Sequence, residues 1–127
     1  MTRFLLVCLG GAIGAGARYL LAGWVQRAAG SEFPWGTLSV NLLGSFALGV
    51  LMHLALTTDL LSDELRLALM PGVMGGFTTY STFNQETVES LRRGAFGLAG
   101  LYVAATVGGC LVAGFLGLAT GRGVSGR

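Results

Sequence analysis

Gly75-Gly76-Phe77-Thr78-Thr79-Tyr80-Ser81-Thr82-Phe83-Asn84 follows directly on the apolar run Leu67–Val73. Paired glycines weaken a helix, and threonine and serine hydroxyls bond to backbone groups that a weakened helix frees. The stretch therefore predicts a break inside a hydrophobic segment that runs from Glu64 to Arg92. Non-helical backbone at membrane depth survives only where it is buried in protein or lines a cavity. A broken helix of this kind marks an ion or substrate site. The plainer reading is a helix that packs closely through small residues.

The rest of the chain supplies the membrane setting. Of its 127 residues, 53% are hydrophobic and only 11% charged, against about 25% charged in soluble domains. Mean hydropathy is +0.70. The 22 glycines suit helices that must approach closely where lipid supplies no hydrophobic drive. A span needs about 20 apolar residues. Phe4–Trp24, Trp35–Leu56 and Phe96–Thr120 meet that length, and Glu64–Arg92 is the interrupted third span. The expected fold is all-α: one domain over residues 1–127, with four transmembrane helices and the third broken. The apolar start is read as a span rather than a signal peptide, because the remainder is just as apolar. Asp59 and Asp63 are read as N-caps or turn residues before the third helix, and the tail after Gly121 as frayed.

Basic residues give little orientation. With the amino terminus inside, Arg3, Arg66, Arg122 and Arg127 oppose Arg27, Arg92 and Arg93. A chain so balanced is expected to insert both ways and to pair with an inverted copy. The net charge of +2 is too small to point to nucleic acid.

Polar residues recur at helical spacing inside the apolar spans. Thr37, Asn41 and Ser45 form one stripe; Tyr102, Thr106 and Cys110 form another. After the break, Tyr80 and Phe83 share a face, with Ser81, Thr82 and Asn84 nearby. Such stripes serve either interhelical hydrogen bonding or a pathway. Two stripes together with a broken helix favour the pathway. Hydroxyls, an amide and aromatic ring edges, with no carboxylate, suit an anion that accepts hydrogen bonds. Arg18 is expected to snorkel to an interface or to pair with Glu86, and Glu86 to shape a vestibule. His53 is read as an interface residue. No catalytic constellation, phosphate loop or metal spacing occurs, so an enzyme is not expected. Gly10-Gly11-x-x-Gly14 and Gly72-x-x-x-Gly76 are read as helix-packing motifs, and Cys8 and Cys110 as free thiols in apolar runs.

Three motifs resemble the CrcB/Fluc fluoride channel family: Gly10-Gly11-Ala12-Ile13-Gly14-Ala15-Gly16-Ala17-Arg18-Tyr19, Gly36-Thr37-Leu38-Ser39-Val40-Asn41-Leu42-Leu43-Gly44-Ser45-Phe46 and Gly75–Phe83. The resemblance extends over nearly the whole chain, and the third motif is its most specific part. It implies an antiparallel, dual-topology homodimer in the inner or plasma membrane, exporting fluoride passively through two pores. It implies a structural Na+ at the centre of the dimer, on the backbone carbonyls of Gly75 and Thr78. It places pore-lining aromatics at Tyr80 and Phe83, the pore asparagine at Asn41 and a polar track at Tyr102, Thr106 and Cys110. Thr37, Ser81 and Thr82 are further expected pore residues. Tyr80 stands where the family usually has Phe, and Cys110 where Ser is common.

Two other function classes compete. A proton-coupled small multidrug-resistance-type transporter needs a mid-span carboxylate, which the first three helices lack. A non-transporting membrane accessory subunit needs neither the stripes nor the break.

Overall fold

In the computed structural model, which describes residues 1–126, two non-helical segments set the architecture: the short loop before Trp35 and the extended pair Thr78-Thr79. Helices α1 (Thr2–Ala29) and α2 (Trp35–Thr57) come first. There follow α3 (Asp63–Leu67), a π-helical turn (Ala68–Met74), α4 (Gly75–Phe77), α5 (Tyr80–Arg92) and α6 (Phe96–Ser125). All regular elements among the described residues are helical. Helices α1, α2 and α6 are each long and apolar enough to cross a membrane.

The spans start and stop close to the expected positions. However, α1 runs on to Ala29, where Gly30 takes the left-handed conformation (φ 60°) that ends it. Gln26, beyond the expected end of the first span at Trp24, lies in that last turn and organises the loop. Its Nε2 donates to the carbonyls of Ser31 (2.9 Å) and Phe33 (3.1 Å), and its Oε1 accepts from the Gly36 N–H at 3.0 Å. Helix α6 continues through Ser125, so residues 122–125 are helical rather than frayed. Arg127 lies outside the described residues. Neither Asp59 nor Asp63 caps α3. Ser62 is the N-cap, its hydroxyl accepting from the Leu65 N–H at 3.3 Å, and Asp63 and Glu64 occupy the first turn, where negative charge suits the helix dipole.

Pro71 sits inside the π-helical turn. Proline has no N–H and its ring clashes with the preceding turn, so a regular α-helix cannot pass through it unchanged. A local widening to π geometry accommodates it.

Glycines set the packing. Gly10 and Gly14 of α1 are buried against Gly72, Val73 and Phe77. A Cβ on Gly14 would stand 2.8 Å from the Phe77 amide nitrogen, and one on Gly76 would stand 2.9 Å from the Gly11 Cα. The two glycine motifs therefore pack on each other, backbone to backbone. Helix α6 lies along α2 in the same way: a Cβ on Gly117 would stand 3.1 Å from the Gly49 Cα. Leu42 meets Gly109, Phe46 meets Gly117 and His53 meets Gly121, so both helices run in one direction. Most large apolar side chains, among them Leu9, Ile13, Leu20, Leu111 and Phe115, point outward.

Candidate functional site

Thr78 and Thr79 are extended, with φ/ψ of −77°/156° and −147°/117°. Two residues leaving helical geometry free several backbone polar groups, each needing a partner. Asn41 supplies two of them. Its Oδ1 accepts the Thr79 N–H at 2.8 Å and its Nδ2 donates to the Thr79 carbonyl at 3.0 Å. The Thr79 hydroxyl then caps α5, accepting from the Thr82 N–H at 3.2 Å. The Thr78 hydroxyl donates to the Met74 carbonyl at 3.0 Å. Arg18 Nη1 donates to the Thr78 carbonyl at 3.3 Å. Arg18 thus neither pairs with Glu86 nor snorkels away; it turns inward to the extended pair.

Helix α5 also carries a carboxylate into the polar stripes, contrary to expectation. Glu86 Oε1 accepts from the Thr37 hydroxyl at 2.8 Å, and Oε2 accepts from the Tyr102 hydroxyl at 2.6 Å. One acidic side chain joins the first residue of each stripe. Tyr102 is fully buried. Its ring packs edge-on against Phe83, with centroids 5.1 Å apart, and Phe83 in turn lies 5.7 Å from Tyr80. Phe83 is 8% exposed, whereas Tyr80 is 77% exposed.

Two hollows flank this aromatic layer. One, of about 480 Å³, contains Thr37, Thr82, Gln85 and Glu86. The other, of about 310 Å³, contains Asn41, Tyr80, Phe83, Thr106 and Cys110. Thr37 and Thr82 line the first and Asn41, Tyr80, Phe83, Thr106 and Cys110 the second, whereas Tyr102, fully buried, lines neither. Ser81 lines neither; it is exposed, with its hydroxyl 3.3 Å from that of Thr79. Thr106 is 7% exposed, and its Oγ1 has no hydrogen-bond partner. Gly75, the other expected carbonyl donor, is exposed at the start of α4. The amide that would reach back to its carbonyl in a continuous helix is that of Thr79, which Asn41 has taken.

Sequence reasoning singled out Glu86 and Arg18 without finding their partners. Thr79, the residue on which the local network converges, it passed over. A signal for it existed: Thr79 stands three residues before Thr82 at a helix start, the spacing of a hydroxyl N-cap. His53, read as an interface residue, is buried; its Nε2 lies 2.9 Å from the Ser125 hydroxyl and ties α2 to the end of α6.

A family model described as CrcB-like protein, Camphor Resistance (CrcB), matches residues 5–118. The chain belongs to the CrcB-like family. Curated relatives agree with that membership. A protein named fluoride-specific ion channel FluC from Anaeromyxobacter sp. (strain K) is 55% identical over 115 residues, covering 91% of each chain. One of the same name from Geobacter sulfurreducens is 51% identical, covering 96% of this chain and 98% of its own. Another from Agrobacterium fabrum is 48% identical over the same shares. These relatives are named as ion channels, and this CrcB-like chain is a membrane protein and not an enzyme.

Proposed function

We propose that the chain is a fluoride-selective channel, releasing cytoplasmic fluoride passively across the inner or plasma membrane. The observation that carries this reading is the hollow beside the extended pair. Its wall presents the rings of Phe83 and Tyr80, with Thr106, whose unpartnered hydroxyl is buried just behind it. Fluoride accepts hydrogen bonds strongly, so a free buried hydroxyl and electropositive ring edges offer it replacements for water. No fixed cation lines that hollow, so an anion is held moderately and can leave. Relatives of about half identity bear the fluoride-channel name, which supports the same substrate.

In this reading, α3 to α5 together form the third of four spans, interrupted at Thr78-Thr79. The hollow is open on one side, with Tyr80 exposed at its edge. A second, inverted copy closes it, giving an antiparallel homodimer with two pores. The near balance of arginines between the two sides is compatible with both insertions.

A structural Na+ at the centre of that dimer fits the donor chemistry present. Hard cations prefer oxygen ligands. The Gly75 carbonyl lacks its usual helical donor, and the Thr78 carbonyl has a lone pair beyond the one facing Arg18. Bound there, the ion supplies positive charge to carbonyls that lipid cannot satisfy. Gly75 and Thr78 of each copy would hold it.

The half-buried carboxylate Glu86 does not favour a proton-coupled drug transporter, because both its oxygens are engaged by hydroxyls within the chain. Fluoride efflux from liposomes containing this protein alone tests the proposal. Release is expected; retention while a fluoride ionophore empties the same vesicles contradicts it.

A further inference from the structure

Of the two carbonyls that the break leaves for a cation, one already faces a cation of the chain itself. In a continuous helix the Thr78 carbonyl would accept from the Thr82 N–H, which instead donates to the Thr79 hydroxyl at 3.2 Å. What reaches the Thr78 carbonyl is Arg18 Nη1, at 3.3 Å. The glycine packing of α1 puts it there. Gly14, one turn before Arg18 on the same face, is buried against the backbone of Phe77, the residue before Thr78. Arg18 is half-buried, and among the described residues no carboxylate lies within ion-pair distance of it; both ion pairs found there use Glu89. A charged side chain at membrane depth is ordinarily paired. The charge of Arg18 is uncompensated and is aimed at a backbone oxygen.

We propose that Arg18 sets the strength of the central cation site: its fixed positive charge, held on the Thr78 carbonyl, keeps Na+ binding weak and the ion exchangeable. The proposal rests on the reading of Gly75 and Thr78 as Na+ ligands. Two positive charges that share one carbonyl oxygen repel, and a half-buried position leaves little water to screen them. By reciprocity, Na+ weakens the Arg18 hydrogen bond by the same factor that Arg18 weakens Na+ binding. With the charge removed, the two carbonyls face the ion alone and hold it more tightly. Arg18 acts through the Thr78 carbonyl and touches neither the ion nor the hollow beside Phe83.

The test uses the full chain in detergent, stripped of Na+ into N-methylglucamine chloride and titrated with sodium chloride at constant ionic strength. The Kd for Na+ is taken from the concentration at which the melting temperature begins to climb. Arg18→Gln, which keeps a neutral donor, is expected to lower that Kd by about tenfold, and Arg18→Lys, which keeps the charge, to leave it within about twofold. A contact that is merely structural would lower the melting temperature at every Na+ concentration and leave the Kd in place. An unchanged or higher Kd in Arg18→Gln, or an equal fall in Arg18→Lys, overturns the proposal. A second measurement needs no neutral variant. In arginine-labelled protein, with the Arg18 signal identified by its loss in Arg18→Lys, Na+ is expected to move the Arg18 Nε resonance more than that of any other arginine, with the Kd of the thermal titration. An Arg18 resonance that stays still while Na+ stabilises the protein overturns the role of Arg18 and leaves the Na+ site standing. An unaltered protein whose melting temperature ignores Na+ overturns the site and the proposal together.

Discussion

Asn41 and Thr79 hold each other through both ends of one amide: the side-chain oxygen takes the Thr79 N–H at 2.8 Å, and the side-chain nitrogen gives to the Thr79 carbonyl at 3.0 Å. Both residues are buried. A side chain of α2 here replaces the hydrogen bonds that a continuous helix would have made. Asn41→Ala strands two buried backbone groups at about 1–3 kcal/mol each. The melting temperature of the detergent-purified protein is expected to fall clearly. An unchanged melting temperature would remove Asn41 from its structural role.

Glu86 couples the two polar stripes through hydroxyls donated by Thr37 and Tyr102. Hydrogen bonds to a charged acceptor contribute about 1.5–3 kcal/mol each. Tyr102→Phe and Glu86→Gln are each expected to destabilise the protein. The double variant is expected to lose less than their sum, because the second change removes a partner already missing. Chemical unfolding of the four proteins measures the coupling, and strict additivity would show that the contact contributes nothing.

Two neighbouring glycines on α1 should respond oppositely to one methyl group. At Gly14 the new Cβ would stand 2.8 Å from the Phe77 nitrogen and 2.9 Å from the Val73 carbonyl carbon, both backbone atoms that cannot swing away. Gly14→Ala is expected to cost about 1–3 kcal/mol by overpacking. At Gly11 the new Cβ meets nothing within 4 Å. Gly11→Ala is expected to be neutral or to stabilise by up to about 1 kcal/mol, through helix propensity. Thermal unfolding of both variants decides the matter.

Phe83 belongs to the buried cluster with Leu38 and Tyr102, and it also lines the hollow that holds Asn41 and Thr106. Phe83→Ile keeps an apolar side chain but removes the ring edge. Fluoride flux is expected to drop sharply with little change in assembly on size-exclusion chromatography; unaltered flux would take Phe83 out of the pathway. Tyr80 is exposed, so Tyr80→Phe is expected to leave stability unchanged. Its flux reports what the hydroxyl does.

Composition and hydropathy were enough to read the long apolar helices, because a span is specified by length and apolarity alone. The glycine motifs were legible for a related reason: close backbone approach leaves only one residue type. Partner choice was not legible. Arg18 reaches Thr78 across 60 positions and Glu86 reaches back to Thr37 across 49, and no local pattern encodes contacts so distant. Spacing showed that Thr37, Asn41 and Ser45 share a face, but not that Asn41 is spent on the backbone of Thr79 while Thr106 stays free. The π-helical turn had a visible cause in Pro71. The cap at Ser62 was masked by two acidic neighbours with similar capping preference.

Passive fluoride conduction can be measured directly. Purified protein is placed in liposomes loaded with potassium fluoride, external fluoride is followed by electrode, and valinomycin is added to release the charge balance. Prompt fluoride release that needs neither a proton gradient nor a nucleotide is expected, with a much slower release from vesicles loaded with chloride. Vesicles that keep their fluoride until a fluoride ionophore is added would contradict it.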